Sequence, residues 1–208
     1  MALGRGRFVV FEGIDGAGKS TQDHLLLRWL RKRGIKAVYA SNPSQFSIGK
    51  FIRSHLSGTL QINPEALQVL FTADRVYQLE RLIIPSLKKG AWVILDRYTL
   101  STLAYGALDI KDVSWLAELN RKCLKPDLTI LLRISPEEAM RRIKKERSSK
   151  EIFEKKKKII AVARNYEKLV KRTKNVVVID GEEAIEKIGE KISSLLMGRF
   201  RLYGRKYL

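Results

Sequence analysis

The chain has 208 residues, 45% of them hydrophobic, enough for one well-buried core, so a single domain is expected. One cysteine, Cys123, excludes an intramolecular disulfide, and no apolar run approaches the roughly 20 residues of a membrane span, so the expectation is a soluble, cytoplasmic protein. The formal charge of +19, much of it between Met140 and Lys174, attracts polyanions, whether nucleotides or nucleic acid, and equally suits a lysine-rich thermophile surface.

Arg7–Glu12 is continuously apolar at its centre and predicts a buried strand. It runs into Gly13-Ile14-Asp15-Gly16-Ala17-Gly18-Lys19-Ser20, the spacing G-x-x-x-x-G-K-[ST], ahead of a helical pattern over 21–33 that Gly34 stops. In that order the glycines let the loop wrap so that backbone N–H groups face a phosphate, and the helix start adds a positive dipole end. The cofactor-binding candidates are Gly13, Asp15, Gly16, Ala17, Gly18, Lys19, Ser20 and Thr21. Lys19 is expected on the β- and γ-phosphates of ATP, and Ser20 on Mg²⁺. A second strand over 36–40 completes a β-loop-α-β unit. After a loop at 42–44, residues 47–56 read as helical.

Asn63-Pro64-Glu65 starts a long helix, with Asn63 as cap, Pro64 in the first turn and Glu65 suiting the dipole. Phe71 and Arg75, four residues apart, share a face of it. Pro85 disturbs its end and Lys88-Lys89-Gly90 closes it. Trp92–Asp96 is an apolar strand ending in a carboxylate, which in a phosphate-loop protein helps hold Mg²⁺, so Ser20 and Asp96 form the expected metal pair. Arg97 follows at once and needs a partner if buried. A helical stretch over 109–125, with Trp115, Leu116 and Leu119 at core spacing, precedes a strand over 128–134. Ser135-Pro136-Glu137-Glu138 then starts a helix with a capping box.

That helix enters a basic run, Arg141 to Lys150, and a long helix over 151–174 follows, whose Lys155–Lys158 read as a solvated face. A fifth strand over 175–180 and an amphipathic helix over 182–196 complete the pattern. The tail, 198–208, interleaves basic and aromatic residues, suited to nucleic acid or to packing, with packing favoured. The fold expected is α/β, a three-layer P-loop NTPase arrangement with a five-stranded parallel sheet flanked by helices, spanning 1–197 ahead of the tail.

Three motifs, in order along the chain, carry a resemblance: Glu12–Thr21, Leu70-Phe71-Thr72-Ala73-Asp74-Arg75, and Asp96-Arg97-Tyr98-Thr99-Leu100-Ser101 followed by Ala104-Tyr105. The last resembles the D-R-Y-x-x-S-x-x-A-Y segment of thymidylate kinases, and the similarity extends over about residues 7–195. It implies the reaction ATP + dTMP → ADP + dTDP, a homodimer meeting near 47–57 and 63–84, and a lid over ATP at about 141–154. It further implies Asp15 on the sugar 3′-hydroxyl, Phe71 stacked on thymine, Arg75 on a thymine carbonyl and Arg97 on the acceptor phosphate. Ser101 and Thr102 would sit close to the base, Tyr105 would press on the sugar and disfavour a 2′-hydroxyl, and Gly181 would lie beside adenine. An aromatic face serves any base, whereas Arg75 only donates, which favours thymine or uracil over cytosine.

Some thymidylate kinases carry an arginine inside the phosphate loop, where this chain has Gly16. The catalytic charge is then expected from the lid, with Arg142 and Arg147 as candidates and Arg141 next, so that the expected catalytic set is Lys19, Arg97, Arg142, Arg147 and Asp15. Ser41–Phe46 replaces the family's Arg-Glu-Pro-Gly-Gly-Thr, leaving Arg53 or Arg97 to compensate for the missing arginine. Gly106 stands where glutamine is frequent, and Lys150–Glu154 departs from the lid's usual Asp-Arg pair. These departures keep two further readings in play: a kinase for dUMP or a broader acceptor range, and a nucleic-acid-associated P-loop NTPase using the basic lid and tail.

Overall fold

The computed structural model describes residues 6–143 and 149–202, with 149–155 as backbone alone. Five strands, β1 (Phe8–Glu12), β2 (Ala37–Ser41), β3 (Trp92–Asp96), β4 (Leu128–Arg133) and β5 (Val176–Asp180), form an all-parallel sheet in the order β2-β3-β1-β4-β5. Each crossover must carry the chain back to the starting edge, and helices do so on both faces. β1 is buried throughout because its two faces serve two core layers. Val9 and Phe11 pack with α1 (Lys19–Lys32), α8 (Ser149–Val170) and α9 (Ile185–Phe200), while Phe8 and Val10 pack with Leu79, Ile83 and Tyr98.

On the second face α2 (Ser47–Leu56) leads to α3 (Pro64–Gln78), where Asn63 accepts from the Ala66 N–H at 2.7 Å as a cap. α3 continues through one wide π turn (Leu79–Ile83) into α4 (Ile84–Lys88). Pro85 has no N–H for the regular ladder, and the wider turn absorbs the misfit. No helix among the described residues is long and apolar enough to cross a membrane.

Four local readings are corrected. The helix expected over 109–125 is only α6 (Val113–Leu119), with Leu116 its one buried residue. It starts on Asp112, which accepts from the Trp115 N–H, and ends at Asn120, whose amide oxygen turns inward to Arg75. A helix not foreseen, α5 (Thr99–Gly106), follows β3 directly. Its free N–H groups at Tyr98 and Ser101 donate to Glu12 Oε1 at 2.9 and 3.1 Å, so the cap comes from β1, far away in sequence.

The third correction concerns α7 (Pro136–Ile143), which has half a capping box. Ser135 accepts from the Glu138 N–H at 3.2 Å, but the Ser135 N–H donates to Glu182, because the Glu138 carboxylate is held by Arg141 and Arg142 at 2.6 Å each. At the other end of the chain α9 runs to Phe200, four residues beyond the expected stop. Phe200 meets Trp92 edge-on at 5.2 Å under the Arg7 guanidinium, and Leu202 is buried, so 198–202 belong to the body. The remaining tail, 203–208, lies outside the described residues.

Candidate active site

The carboxyl ends of β1, β3 and β4 meet in one crevice, the usual position for a ligand in an open parallel sheet. Gly13 enters the loop at φ 144°, where a Cβ would stand 2.6 Å from the Leu132 carbonyl oxygen, and Gly16 adopts φ 83°. L side chains rarely tolerate either setting. Lys19 is buried and folds back over the loop, its Nζ donating to the Gly13 and Ile14 carbonyls at 3.1 Å each. Burial first, then the charge of Arg97, lowers its pKa to about 8 against the opposing pull of Asp96, Asp15 and Glu12. A phosphate placed over the loop offers the ammonium a stronger partner than two carbonyls.

Ser20 Oγ donates to Asp96 Oδ2 at 3.4 Å, and Asp96 Oδ1 is buried with no partner among the described residues. A hydroxyl and a half-satisfied carboxylate are hard oxygen donors, and Mg²⁺ takes one or two such ligands while keeping phosphates and water for the rest. The sequence pattern gives no hint of Asp23, one turn along α1. It is wholly buried, neither carboxylate oxygen has a partner among the described residues, and burial, then Asp96, raises its pKa well above the ordinary value. No residue pattern marks it, because a lone polar residue on a helix reads as solvent-facing.

Beside the loop lies a cavity of about 490 Å³ lined by Asp15, Phe71, Arg75, Arg97, Ser101, Thr102 and Tyr105, every acceptor-side residue expected. Arg97 leaves β3 at φ 68°, an uncommon setting for a non-glycine residue. Its guanidinium donates to Asp15 Oδ1 at 2.6 Å, to the Tyr105 hydroxyl at 3.2 Å and to Ser101 Oγ at 3.2 Å, and lies 4.9 Å over the Tyr105 ring. Asp15 belongs to the phosphate loop, so this ion pair joins the loop to the cavity. Ser101 in turn donates to Glu12 Oε2 at 2.5 Å, as does Tyr166 at 2.8 Å. Ser101 therefore holds Arg97 in place, and Glu12, fully buried, anchors the arrangement.

Arg75 is 1% exposed and forms no ion pair with a carboxylate among the described residues. It donates to Asn120 Oδ1, to Thr102 Oγ1 at 2.6 Å and to the Tyr98 carbonyl, and its Nε has no partner among the described residues. Thr102 thus orients Arg75 as Ser101 orients Arg97. Phe71, half-buried, sits one turn before Arg75 on the same helix face.

Lys158 also lines the cavity, from within the lysine run read as a solvated face; it is exposed, yet α8 points it at the acceptor side. Arg53 donates to the carbonyl of Pro43, a residue that lines the cavity, at 2.8 Å and to Gln45. Of the arginines expected in a lid, Arg142 reaches the phosphate loop, donating to the Gly16 carbonyl at 3.4 Å while Glu138 holds its Nε. Arg141 points outward with a 74% exposed side chain. Arg147 lies outside the described residues. Gly16 is where α7 touches the loop, since a Cβ there would lie 3.0 Å from the Ala139 carbonyl and 3.2 Å from Ile143. Gly181 approaches the same loop, where a Cβ would lie 3.3 Å from the Ala17 carbonyl.

A phosphate-cradling loop, a carboxylate at the end of the neighbouring strand and an arginine-lined acceptor cavity on a five-stranded parallel sheet define a P-loop phosphotransferase of the nucleotide kinase class. The family model described as thymidylate kinase matches residues 11–192. A "Probable thymidylate kinase" of Thermococcus gammatolerans is 40% identical over 203 residues, covering 92% of this chain and 96% of that protein. Proteins of the same description from Thermococcus kodakarensis and Methanocaldococcus jannaschii are 38% and 36% identical, each covering 91% of this chain and 96% and 95% of their own lengths. The chain belongs to the thymidylate kinase family. Neither a kinase of broader acceptor range nor a nucleic-acid-associated NTPase is favoured by these matches.

Proposed function

We infer that this protein is a dTMP kinase, moving the γ-phosphoryl group of ATP to a 5′-phosphate oxygen of dTMP to give ADP and dTDP. One observation carries the reading: the Asp15–Arg97 pair at 2.6 Å ties the phosphate loop to a cavity in which Phe71 offers a stacking face and Arg75 offers only donors. Two phosphorylated molecules meeting end to end need such a shared wall.

In this reading the loop amides and Lys19 hold the donor's β- and γ-phosphates, and Arg97 holds the acceptor phosphate in line with them. Ser20 and Asp96 would hold Mg²⁺, which when bound neutralises charge on the phosphate oxygens. Phosphoryl transfer needs positioning and charge stabilisation more than covalent help, so the guanidinium of Arg142, supplied where Gly16 offers none, is a catalytic group, with Arg147 assigned the same part. Asp15, once its pair with Arg97 shifts to substrate, accepts from the sugar 3′-hydroxyl. Phe71 stacks on thymine, and Arg75 donates to a thymine carbonyl. Tyr105, lying against Arg97, presses on the sugar and disfavours a 2′-hydroxyl. α2 and α3 expose Phe51, Leu56, Val69 and Val76, an apolar face that suits the homodimer contact. A single free cysteine and work on nucleotide pools support a cytoplasmic location.

The test is ADP release with dTMP, dUMP, dCMP and dGMP in turn, then with DNA and RNA. Turnover that depends on dTMP is the expected result. Stimulation by nucleic acid and by no monophosphate would overturn the reading.

A further inference from the structure

The two ends of the parallel sheet differ in charge. The register sets the first residues of all five strands side by side, at the end of the sheet away from the crevice that holds the phosphate loop. Among the described residues, the seven positions before each strand hold thirteen lysines and arginines and one acid, Asp127. The seven positions after each strand hold three lysines and arginines and six acids. Every strand has a cation at its entry: Arg7 before β1, Lys36 before β2, Lys89 before β3, Lys125 before β4 and Lys174 before β5, the four lysines all exposed. Arg199 joins them from the last turn of α9, donating to the Asp127 carbonyl at 3.3 Å and to Asn175 Oδ1 at 2.8 Å.

Two ordinary explanations fall short. Cations in the last turn of a helix complement its dipole, which covers Lys32 and Lys88. It does not cover Lys36, Lys125 or Lys174, which lie beyond the ends of α1, α6 and α8. A heat-adapted surface sets its lysines in networks with acids. Here the ion pairs in the entry segments, among the described residues, are Arg7–Asp127 and Arg121–Glu118. So many like charges on one face repel each other, and a polyanion laid across them relieves the repulsion. We propose that this end of the sheet is a docking surface for double-stranded DNA, bound through its phosphates without reading of sequence. Four strand spacings of about 4.8 Å make the row about 20 Å wide. Over that length a duplex presents about twelve phosphate charges, one per about 1.7 Å of its axis. An anionic membrane fits less well. In the entry segments Leu124 is the one large apolar side chain exposed among the described residues, so there is little to insert into lipid. The surface and the active site lie at opposite ends of the strands, so the bound duplex does not compete with nucleotides.

The experiment compares the wild type with two variants of equal net charge. One is Lys36→Gln/Lys125→Gln/Lys174→Gln at the strand entries; the other is Lys50→Gln/Lys187→Gln/Lys191→Gln, on α2 and α9. Binding of a duplex of about 20 base pairs is read by fluorescence anisotropy between about 50 and about 300 mM salt. The wild type is expected to bind with Kd of about 1–100 μM near physiological salt. The entry variant should bind about tenfold more weakly, with a salt slope shallower by about three. The other variant should stay within about twofold of the wild type, and both should keep kcat and KM for dTMP within about twofold. Equal loss of binding in the two variants would reduce the effect to net charge and overturn the proposal. A wild type that binds anionic vesicles and not the duplex would overturn it too. In the wild type itself, saturating duplex should shield Lys36, Lys125 and Lys174 from acetylation, read by mass spectrometry, and leave Lys50 and Lys187 reactive. The reverse pattern overturns the proposal whether or not the variants fold.

Discussion

The two ends of the active site are built from different materials. The phosphate loop is one continuous run, 13–20, whose chemistry lies in backbone amides and in glycines holding φ values closed to other residues. The acceptor cavity takes side chains from the loop, α3, α5 and α8, and its two guanidinium groups are each held by neighbours: Arg97 by Asp15 and Ser101, Arg75 by Thr102 and Asn120. A site made of backbone is robust to substitution outside its few glycines and one lysine. A site made of side chains changes its selectivity with any one of them, so the first is suited to a donor shared by many enzymes and the second to the acceptor that distinguishes them.

The largest effect expected from breaking this contrast is at Lys19, the one side chain the loop cannot do without. Lys19→Met should cut kcat about 10³-fold, as removal of a charge-stabilising donor does. The melting temperature should hold or rise, because the native state no longer keeps an ammonium buried against two carbonyls; a large drop in thermal stability would make the residue structural. On the acceptor side, Arg97→Met should lower kcat/KM for dTMP about 10²-fold while ATP affinity, read by titration calorimetry, changes about twofold or less. Equal loss of ATP binding would erase the division between the two ends.

The smallest effect belongs to Asp23, beneath the loop. Its carboxyl pKa is raised in the folded state, so folded and unfolded chains are both protonated below the ordinary value of 3.8. Above that pH the unfolded chain releases its proton first, and stability is lost as pH rises toward the native pKa. Asp23→Ala removes an unpaired buried carboxyl and should raise Tm by a few degrees, at about 2–4 °C per kcal/mol for a chain of this size, more at pH 8 than at pH 4.5. A gain equal at both pH values would mean that the group titrates normally.

Features whose cause lies within a few residues are legible in the sequence. The cap at Asn63, the stop at Gly34, the phosphate loop and all five strands are of this kind, since capping, φ preference and apolar runs act locally. α5 is not legible there because its N–H groups are satisfied by Glu12, 86 residues from Tyr98. α6 is shorter than its apolar spacing suggests because Asn120 is diverted to Arg75, and the capping box at Ser135 is incomplete because arginines claim Glu138. Lys158 and Gln68 carry no signal, being ordinary polar residues on helices until the packing turns them to the cavity.

By itself, then, the order of residues determined a glycine-rich loop between a strand and a helix, on a parallel sheet, with the motifs at 70–75 and 96–105 following in the family's order. Only the tertiary structure decided which side chains share the cavity beside the loop, which cation each hydroxyl orients, and that Arg142 reaches the loop. The reason is that backbone conformation is chosen by neighbours along the chain, whereas the partner of a buried polar side chain is chosen by whatever the fold brings within about 3 Å of it.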